Sequence, residues 1–599
     1  MKYRVIIFIL AVSMMGSCSD WLDKSPEEDI TVQEAFLQRN YAEAFLTSGY
    51  AAIPIENYFT DWADVNPFIL ASDEMAMPWP EKFGKLMNRG AWNPYNTAGQ
   101  FWINMYESIR KLNIFLENIH ITPFSDEFKP EDKERWINEA ILLRAFFHFI
   151  NLRIYGPIPI VDFVMHPDYK FDEIKRRPLD ECIDFIVKAC DDVKDKLPAR
   201  ITNNLHYGRM TGTFAYALKA RVLLYRASPL FNGNIDYIGF ANKDGELLFP
   251  QTADSHWWSK AATAAKEAID KCSSVGFELF KAGNGDPVED YSQLFLKRWN
   301  NEVIMATNNS GIVQGWVERS CFPRGFGGWS GYCPTQRLVD AYEMANGEIP
   351  ITGYRTDGSP IINPASGYEE EGYAVVDDPD GKWLAGVRNM YVGRDPRFYA
   401  TVTFNGAWFK DRKTELWFSG ADGRREEGRD YALTGYLMRK WVDMNVDIPR
   451  GNYSLKTWIF FRMGGLYLDY AEALNEAEGP VTDVHKYVNM VRERAGMPNL
   501  PASLNKDQMR ERIRRERQVE LSFETHRYFD CHRWKIAHET DNGPVYGMNI
   551  MEGTHLQDDV YYKRTEVETR VFNTPVHYLF PIMQREMDKA PGLVQNPGW

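Results

Sequence analysis

Apolar residues recur at helical spacing in five places along the chain. In EDKERWINEAILLRAFFHFINLRIYGPIPIV, Trp136, Ala140, Leu143, Phe147 and Ile150 step by four and three, which lines one face of a helix. Gly156-Pro157-Ile158-Pro159 ends it, because proline brings no N–H and cannot continue the ladder. In GRMTGTFAYALKARVLLYRASPLFNGN the face is Phe214, Leu218, Val222 and Tyr225, stopped by Pro229 and the Asn232-Gly233 turn. Trp257–Lys271 is an alanine-rich third case. GGLYLDYAEALNEAEGP carries Tyr467, Ala471 and Leu474 and ends at Gly479-Pro480, and Val484, Val488, Val491 and Ala495 follow at once. So short a connection predicts an antiparallel helix pair. Small residues on these faces (Ala140, Ala217, Ala471, Ala473, Ala477) let helices approach closely.

The middle of the chain differs. From about Phe277 to Trp458 the helical period fades and Gly, Pro, Asn and Trp accumulate, apart from a short helix expected over Gln336–Ala345. Thr401–Phe409, TVTFNGAWF, alternates loosely and predicts a hairpin around Asn405-Gly406. The fold class expected is therefore mostly α. Tetratricopeptide-like helix pairs, without an exact repeat of about 34 residues, carry a long loop-rich insertion with a few short strands. Long aromatic loops on a rigid scaffold are where binding residues concentrate, so 277–458 is read as the ligand-binding region. It separates an N-terminal helical region, 31–276, from a C-terminal one, 459–599.

The first residues stand apart from this fold. Val5–Met15 is apolar except for Ser13, follows Lys2 and Arg4, and falls short of the roughly 20 residues needed to span a bilayer. It matches a secretory signal over 1–17. Met15-Gly16-Ser17-Cys18 resembles a bacterial lipobox, which implies cleavage before Cys18 and acylation of that residue, with 18–30 as a polar tether.

Charge and composition narrow the function. A net charge of −14 lacks the basic footprint of a nucleic-acid binder. The 18 Trp, 31 Tyr and 35 Phe exceed what a core must have and leave rings for a recognition surface. Of seven cysteines, Cys182, Cys190, Cys272 and Cys531 read as small buried apolar groups. Cys321 and Cys333 flank a Gly-rich loop that a disulfide between them would close, and the sequence leaves their state open. Gly328-Trp329-Ser330-Gly331 is no nucleophile elbow, since its last glycine comes one position early. There is no G-x-G-x-x-G, no Walker A, no C-x-x-C and no H-E-x-x-H around His526, His532 and His538. No cofactor is expected. A structural calcium is the one candidate, at the oxygen-rich turns Asp377–Gly381 or Asn232/Asn234/Asp236, neither of which completes an EF-hand loop. Glycosidase chemistry needs two carboxylates across one bond, and 83 acidic residues neither exclude nor locate such a pair. In MRERIRRERQVELSFETHRYFDCHRW, arginines alternate with Glu511, Glu516, Glu520 and Glu524, a helix laced with ion pairs.

Four segments in order carry a likeness. They are Glu139-Ala140 to Phe147 with Tyr155–Pro159; Tyr470–Glu476 with Val491–Gly496; Arg515–Glu524 with Arg527–Asp530 and Arg533-Trp534; and Leu579–Ile582 with Gln595–Trp599. With the lipobox, they resemble the SusD/RagB family of Bacteroidetes surface lipoproteins over nearly the whole mature chain. The resemblance implies four tetratricopeptide-like helix pairs in a SusD-like superhelix under a loop-rich face. It implies a non-catalytic outer-membrane lipoprotein that binds glycan and delivers it to a SusC-like TonB-dependent transporter. Arg517, Glu520, Glu524, Arg527 and Asp530 then become scaffold ion pairs. The alternatives are a secreted surface glycoside hydrolase of helical fold and a peptide-capture lipoprotein of the same family.

The family motifs do not contain the ligand site, so it is sought from chemistry. Sugars present flat C–H faces and hydroxyl rims, which call for aromatic platforms beside carboxylates, amides or arginine. One candidate cluster is Asp73-Glu74, Trp79 and Trp92–Tyr95; the other is Trp316 with Phe326–Tyr332. Trp329, Tyr332, Trp316, Trp92 and Trp79 are the expected platforms, with Asp73 and Arg388 as polar partners. Trp102 sits in a helical pattern and reads as core.

Overall fold

The computed structural model describes residues 30–53, 67–98, 100–166, 168–307, 313–425 and 428–599. The signal segment, Cys18 and the tether up to residue 29 lie outside the described residues. Helix ends fall where local chemistry stops them. Pro130–Tyr155 begins on a proline and ends at Gly156, whose φ of 76° few other residues tolerate. Gly212–Ala227 starts at Thr211, whose Oγ1 accepts from the Phe214 N–H at 3.2 Å.

These helices stack in chain order. Gln100–Asn118 packs on Pro130–Tyr155, which packs on Leu179–Val193, then Gly212–Ala227, then His256–Ser274. The chain leaves the stack there and rejoins it at Met463–Glu478, which lies against His256–Ser274. Of the small contact residues expected from sequence, Ala140, Ala217, Ala471 and Ala473 are buried and Ala477 is partly exposed; buried Ala261, Ala264, Ala265 and Ala268 add to them. Met463–Glu478 and Thr482–Arg494 form the expected helix pair, turned at Gly479 with φ 84°.

The excursion between the two parts of the stack closes at its base. Val303–Thr307 pairs antiparallel with Trp458–Arg462, Trp458 opposite Thr307 and Arg462 opposite Val303. Beyond that ladder lies a second hydrophobic core, around Phe322, Tyr332, Leu338, Tyr391, Phe398 and Trp441. It also takes in Ile69, Met75 and Met77 from before the excursion and Met548, Tyr561 and Tyr562 from after it. Three expectations for this region change. The helix at Gln336 stops at Ala341, where Tyr342 turns to extended backbone (ψ 131°). A helix not expected from sequence, Pro287–Leu296, forms behind a proline, with Asp286 Oδ1 accepting from Val288 N–H at 2.9 Å. The Thr401–Phe409 hairpin is not made: Val402–Thr403 pairs with Leu437–Met438, and Trp408–Phe409 with Arg412–Lys413. The turn itself exists, with Gly406 at φ 86°. Its Asn405 side chain is drawn into the core, donating to Tyr562 Oη (2.9 Å) and accepting from Leu416 N–H (3.0 Å), and the flanking strands diverge.

The two cores meet across a buried ionic network. Arg462 donates to Glu302 Oε1, Glu520 Oε1 and Glu524 Oε1, each at 2.7 Å. Arg494 joins Glu302 (3.1 Å) and Glu520, and Arg397 joins Asp395, Glu516 and Glu520. Farther along, Arg517 pairs with Asp469 and Asp530, and Arg533 with Glu472 and Asp530. The charge-dense family segments are scaffold: a few pairs run along one helix, as Arg514–Glu511 and Arg533–Asp530 do, but the buried partners of Glu516, Glu520 and Glu524 lie on other elements. Burial alone would raise Glu516, Glu520 and Glu524, yet the arginines (with Lys440 at Glu524) hold all three below the ordinary carboxylate value.

Other polar features resolve simply. Cys182, Cys190, Cys272, Cys321, Cys333 and Cys531 are free and buried. At the Asn232/Asn234/Asp236 turn the Lys535 ammonium sits 2.7 Å from both Asn234 Oδ1 and Asp236 Oδ2. In the Asp377–Gly381 turn, Asp378 Oδ2 accepts from the Asp380 and Lys382 N–H groups (3.1 and 3.0 Å).

Asp541 makes a prediction. It is buried, and neither carboxylate oxygen meets a donor among the described residues. Burial, then the charge of Asp73, pushes its carboxyl up to about 7, with Arg570, Arg527 and Arg337 opposing. The folded value lies above the unfolded one of roughly 3.9, so the stability this group contributes is complete below about pH 4 and lost as pH rises through 7. Asp541→Asn removes that loss. The variant is expected to have a higher urea midpoint than the parent at pH 8, with the gap shrinking towards pH 5. A gap that stays constant with pH would contradict this.

Candidate functional site

A two-residue ladder assembles the aromatic residues. Met75–Ala76 pairs antiparallel with Cys333–Pro334, Met75 opposite Pro334 and Ala76 opposite Cys333. Thr335 reinforces it, donating from N–H to Glu74 O (3.0 Å) and from Oγ1 to Asp73 O (2.5 Å). The loop after Ala76, carrying Trp79, is thereby laid beside the Gly-rich loop that precedes Cys333.

That second loop folds back on the end of the Val313–Cys321 helix. Trp329 N–H donates to Arg319 O (2.5 Å), and Gly331 and Tyr332 N–H both donate to Ser320 O (2.7 and 3.2 Å). Ser330 turns the corner at φ 52°, its Oγ accepting from Arg324 N–H at 3.0 Å. Two glycines are required by space. A Cβ on Gly328 would meet the Phe322 carbonyl oxygen at 1.9 Å, and one on Gly331 would meet the Trp79 ring at 2.2 Å. The helix itself is pinned from behind by buried Glu318, which accepts from Lys456 Nζ (2.6 Å) and Ser454 Oγ (2.8 Å).

Around this corner is a cleft of about 280 Å³, lined by Trp79, Lys82, Trp316, Ser320, Trp329, Tyr332, Arg429 and Asp430. Trp316 and Trp329 are half-buried and stand at 85°, centroids 5.7 Å apart. Trp79 and Tyr332 are buried beneath them; Trp79 lies at 83° to Trp329 and 73° to Tyr332. Trp79 Nε1 donates to Asp430 Oδ1 at 2.8 Å, and Arg429 pairs with Glu81. The Arg319 guanidinium is held between Trp329 and Tyr453, 5.6 and 5.5 Å from their centroids. Apolar ring faces beside a carboxylate, a guanidinium and a hydroxyl suit a ligand with flat C–H faces and hydroxyl edges.

Gly331→Ala tests this construction. The added methyl displaces the Trp79 ring, so ligand affinity is expected to fall about tenfold, a change of about 1.4 kcal/mol in binding, with stability lower by roughly 1–3 kcal/mol. Titration and the tryptophan emission maximum report the two effects; unchanged affinity would show that Trp79 does not shape the cleft.

Four of the seven residues expected to bind are thus brought together: Trp79, Trp316, Trp329 and Tyr332. Three are placed elsewhere. Trp92 is core: its ring lies 4.5 Å from Phe580 and 4.8 Å from Trp599, so it seats the C-terminal residue. Asp73 is buried in a two-bond pair with Arg527 (2.7 Å each), which lowers its carboxyl although burial alone would raise it. It supports the cleft through its carbonyl to Thr335 and offers no carboxylate to a ligand. Arg388 is largely buried over Tyr373 and Tyr562 and paired with Asp559 at 2.5 Å, outside the aromatic cleft. Trp102 is core as expected, edge-on to Tyr155. The residues that sequence reasoning missed, Lys82, Ser320, Arg429 and Asp430, have no periodic or compositional signal. Lys82, three residues after Trp79, and Ser320, four after Trp316, sit near residues already singled out; Arg429 and Asp430 do not.

Comparisons with known proteins agree with this architecture. A family model described as the SusD family matches residues 301–599, and one described as starch-binding, associating with outer membrane, matches 20–224. SusD-like protein P2 of Formosa agariphila is 21% identical over 100% of both chains. The solved structure of BT4246 is 27% identical, with a TM-score of 0.80 over 94% of this chain and 100% of its own. A laminarin-binding SusD-like protein shares the fold at 19% identity, with a TM-score of 0.59 over 94% of this chain and 100% of its own.

Proposed function

The chain belongs to the SusD/RagB family, and from that premise we propose that its aromatic cleft captures a glycan at the cell surface without cleaving it. One observation carries the reading: Trp316 and Trp329 present partly exposed rings over a floor of Trp79 and Tyr332, beside Asp430, Arg429 and Ser320. A solved relative of the same fold is laminarin-binding, which supports a sugar ligand. Asp430 is the single carboxylate among the described lining residues and is bonded to Trp79, whereas glycosidases work with two. The proposal includes lipidation at Cys18, residence on the outer membrane, and delivery to a SusC-like TonB-dependent transporter. The lipobox-like Met15–Cys18 and the outer-membrane description of the matched family model support these.

The test is isothermal titration of the lipid-free chain after Cys18 against plant and host oligosaccharides, each mixture then checked for hydrolysis by chromatography. Binding to one glycan class with the glycan intact is the expected result. Cleavage would overturn the non-catalytic reading, and failure to bind any glycan would overturn the glycan reading.

A further inference from the structure

The cleft's platforms are perpendicular, and that restricts which part of a glycan they hold. Neighbouring units of an extended glycan present their flat faces along a ribbon. Platforms serving several units therefore lie side by side with their faces turned the same way. Trp316 and Trp329 instead meet at 85° with centroids 5.7 Å apart, forming a corner. A sugar ring stacked on one turns its edge to the other, so neighbouring units of such a ribbon cannot stack on both. Beneath the corner, Trp79 and Tyr332 are buried and close the floor.

Size and walls agree. The cleft's volume of about 280 Å³ falls just below the roughly 300–1,000 Å³ range of ligand pockets, which suits a short segment of glycan. One wall is continuous: Trp79 is bonded to Asp430, and Glu81 to Arg429, which joins the 79–82 loop to the 429–430 segment.

We infer that the cleft takes the terminal unit or a one- or two-unit branch of a glycan, not an interior stretch; this rests on the glycan reading above. Trp316 and Trp329 hold the terminal ring, and Asp430, Arg429 and Ser320 meet its hydroxyl edge.

The experiment titrates the lipid-free chain with laminari-, malto- and xylo-oligosaccharides of one to six units, then with short and long unbranched preparations of the polymer in whichever series binds. Affinity is expected to reach its plateau by two units and to change less than about threefold up to six. Long polymer should compete in proportion to its molar concentration of ends, not its mass. Affinity that climbs tenfold or more between two and six units, or competition that follows mass, overturns the chain-end inference while leaving glycan capture standing. If neither these series nor any glycan of the plant and host panel binds, glycan capture fails and the inference fails with it.

Discussion

Arg462→Met is expected to lower the stability of the fold by about 3–5 kcal/mol, the usual cost of leaving a buried charge without its partner. The guanidinium is 2% exposed and serves Glu302, Glu520 and Glu524 at once. It also lies at the seam between the two cores, at the end of the strand that closes the excursion. Methionine fills much of the volume but gives the three carboxylates nothing to bond. Arg494, Arg397 and Lys440 remain near them and limit the loss. The pH dependence should change as well. Glu516, Glu520 and Glu524 are held below their ordinary value, so their contribution is present above the unfolded pKa of roughly 4.3 and lost as pH falls through the lower folded values. Removing Arg462 raises the folded values of Glu520 and Glu524, so acid unfolding should begin at higher pH. Urea unfolding across pH 3–8 reads both effects. Breaking the exposed Lys188–Asp192 pair is the control and should leave the midpoint where it was. If Arg462→Met unfolds with the parent, the network contributes no net stability and the seam is held by its apolar contacts.

The same contrast explains what the sequence discloses. A helix such as Pro130–Tyr155 is written locally, in Trp136, Ala140, Leu143, Phe147 and Ile150, and it forms as written. The helix Pro287–Leu296 carries both a cap, Asp286 and Pro287, and an apolar stripe, Val288, Tyr291, Leu294 and Phe295, but at 10 residues inside a Gly- and Pro-rich stretch the stripe is too short to stand out. The charge-dense segments are legible as scaffold, but nothing near Glu520 names Arg462 or Arg397 as its partners. The cleft is an intermediate case. Composition points to Trp79, Trp316 and Trp329, but a ladder of two residues per strand, too short for any periodicity, brings Trp79 to Trp329. Trp92 looks the same as Trp79 in sequence, each in a polar, loop-like setting. What separates them is that Phe580 and Trp599, from the far end of the chain, cover one, and a Gly-rich loop leaves the other beneath a cleft.

Trp329→Ala should then reduce glycan affinity by about thirtyfold or more, the roughly 2 kcal/mol by which a binding hot spot is defined. Trp329 is the central ring of the cleft: it touches Trp79 on one side and Trp316 on the other, and Arg319 lies against it. Its removal takes away a platform and also one side of the corner that orients the other. The fold should survive, because the loop is held by backbone bonds to Arg319 and Ser320 that alanine keeps. Trp92→Ala should do the reverse. That ring is buried against Phe580 and Trp599, so its loss is expected to lower stability by about 3–5 kcal/mol while affinity of the folded protein stays near the parent's. Running both variants through the same titration and the same urea series separates recognition from packing. Parent-like affinity in a folded Trp329→Ala protein would move the glycan off this cleft altogether, because Trp316 alone, with Trp79 and Tyr332 buried, leaves no second platform among the described lining residues to hold a sugar ring in place.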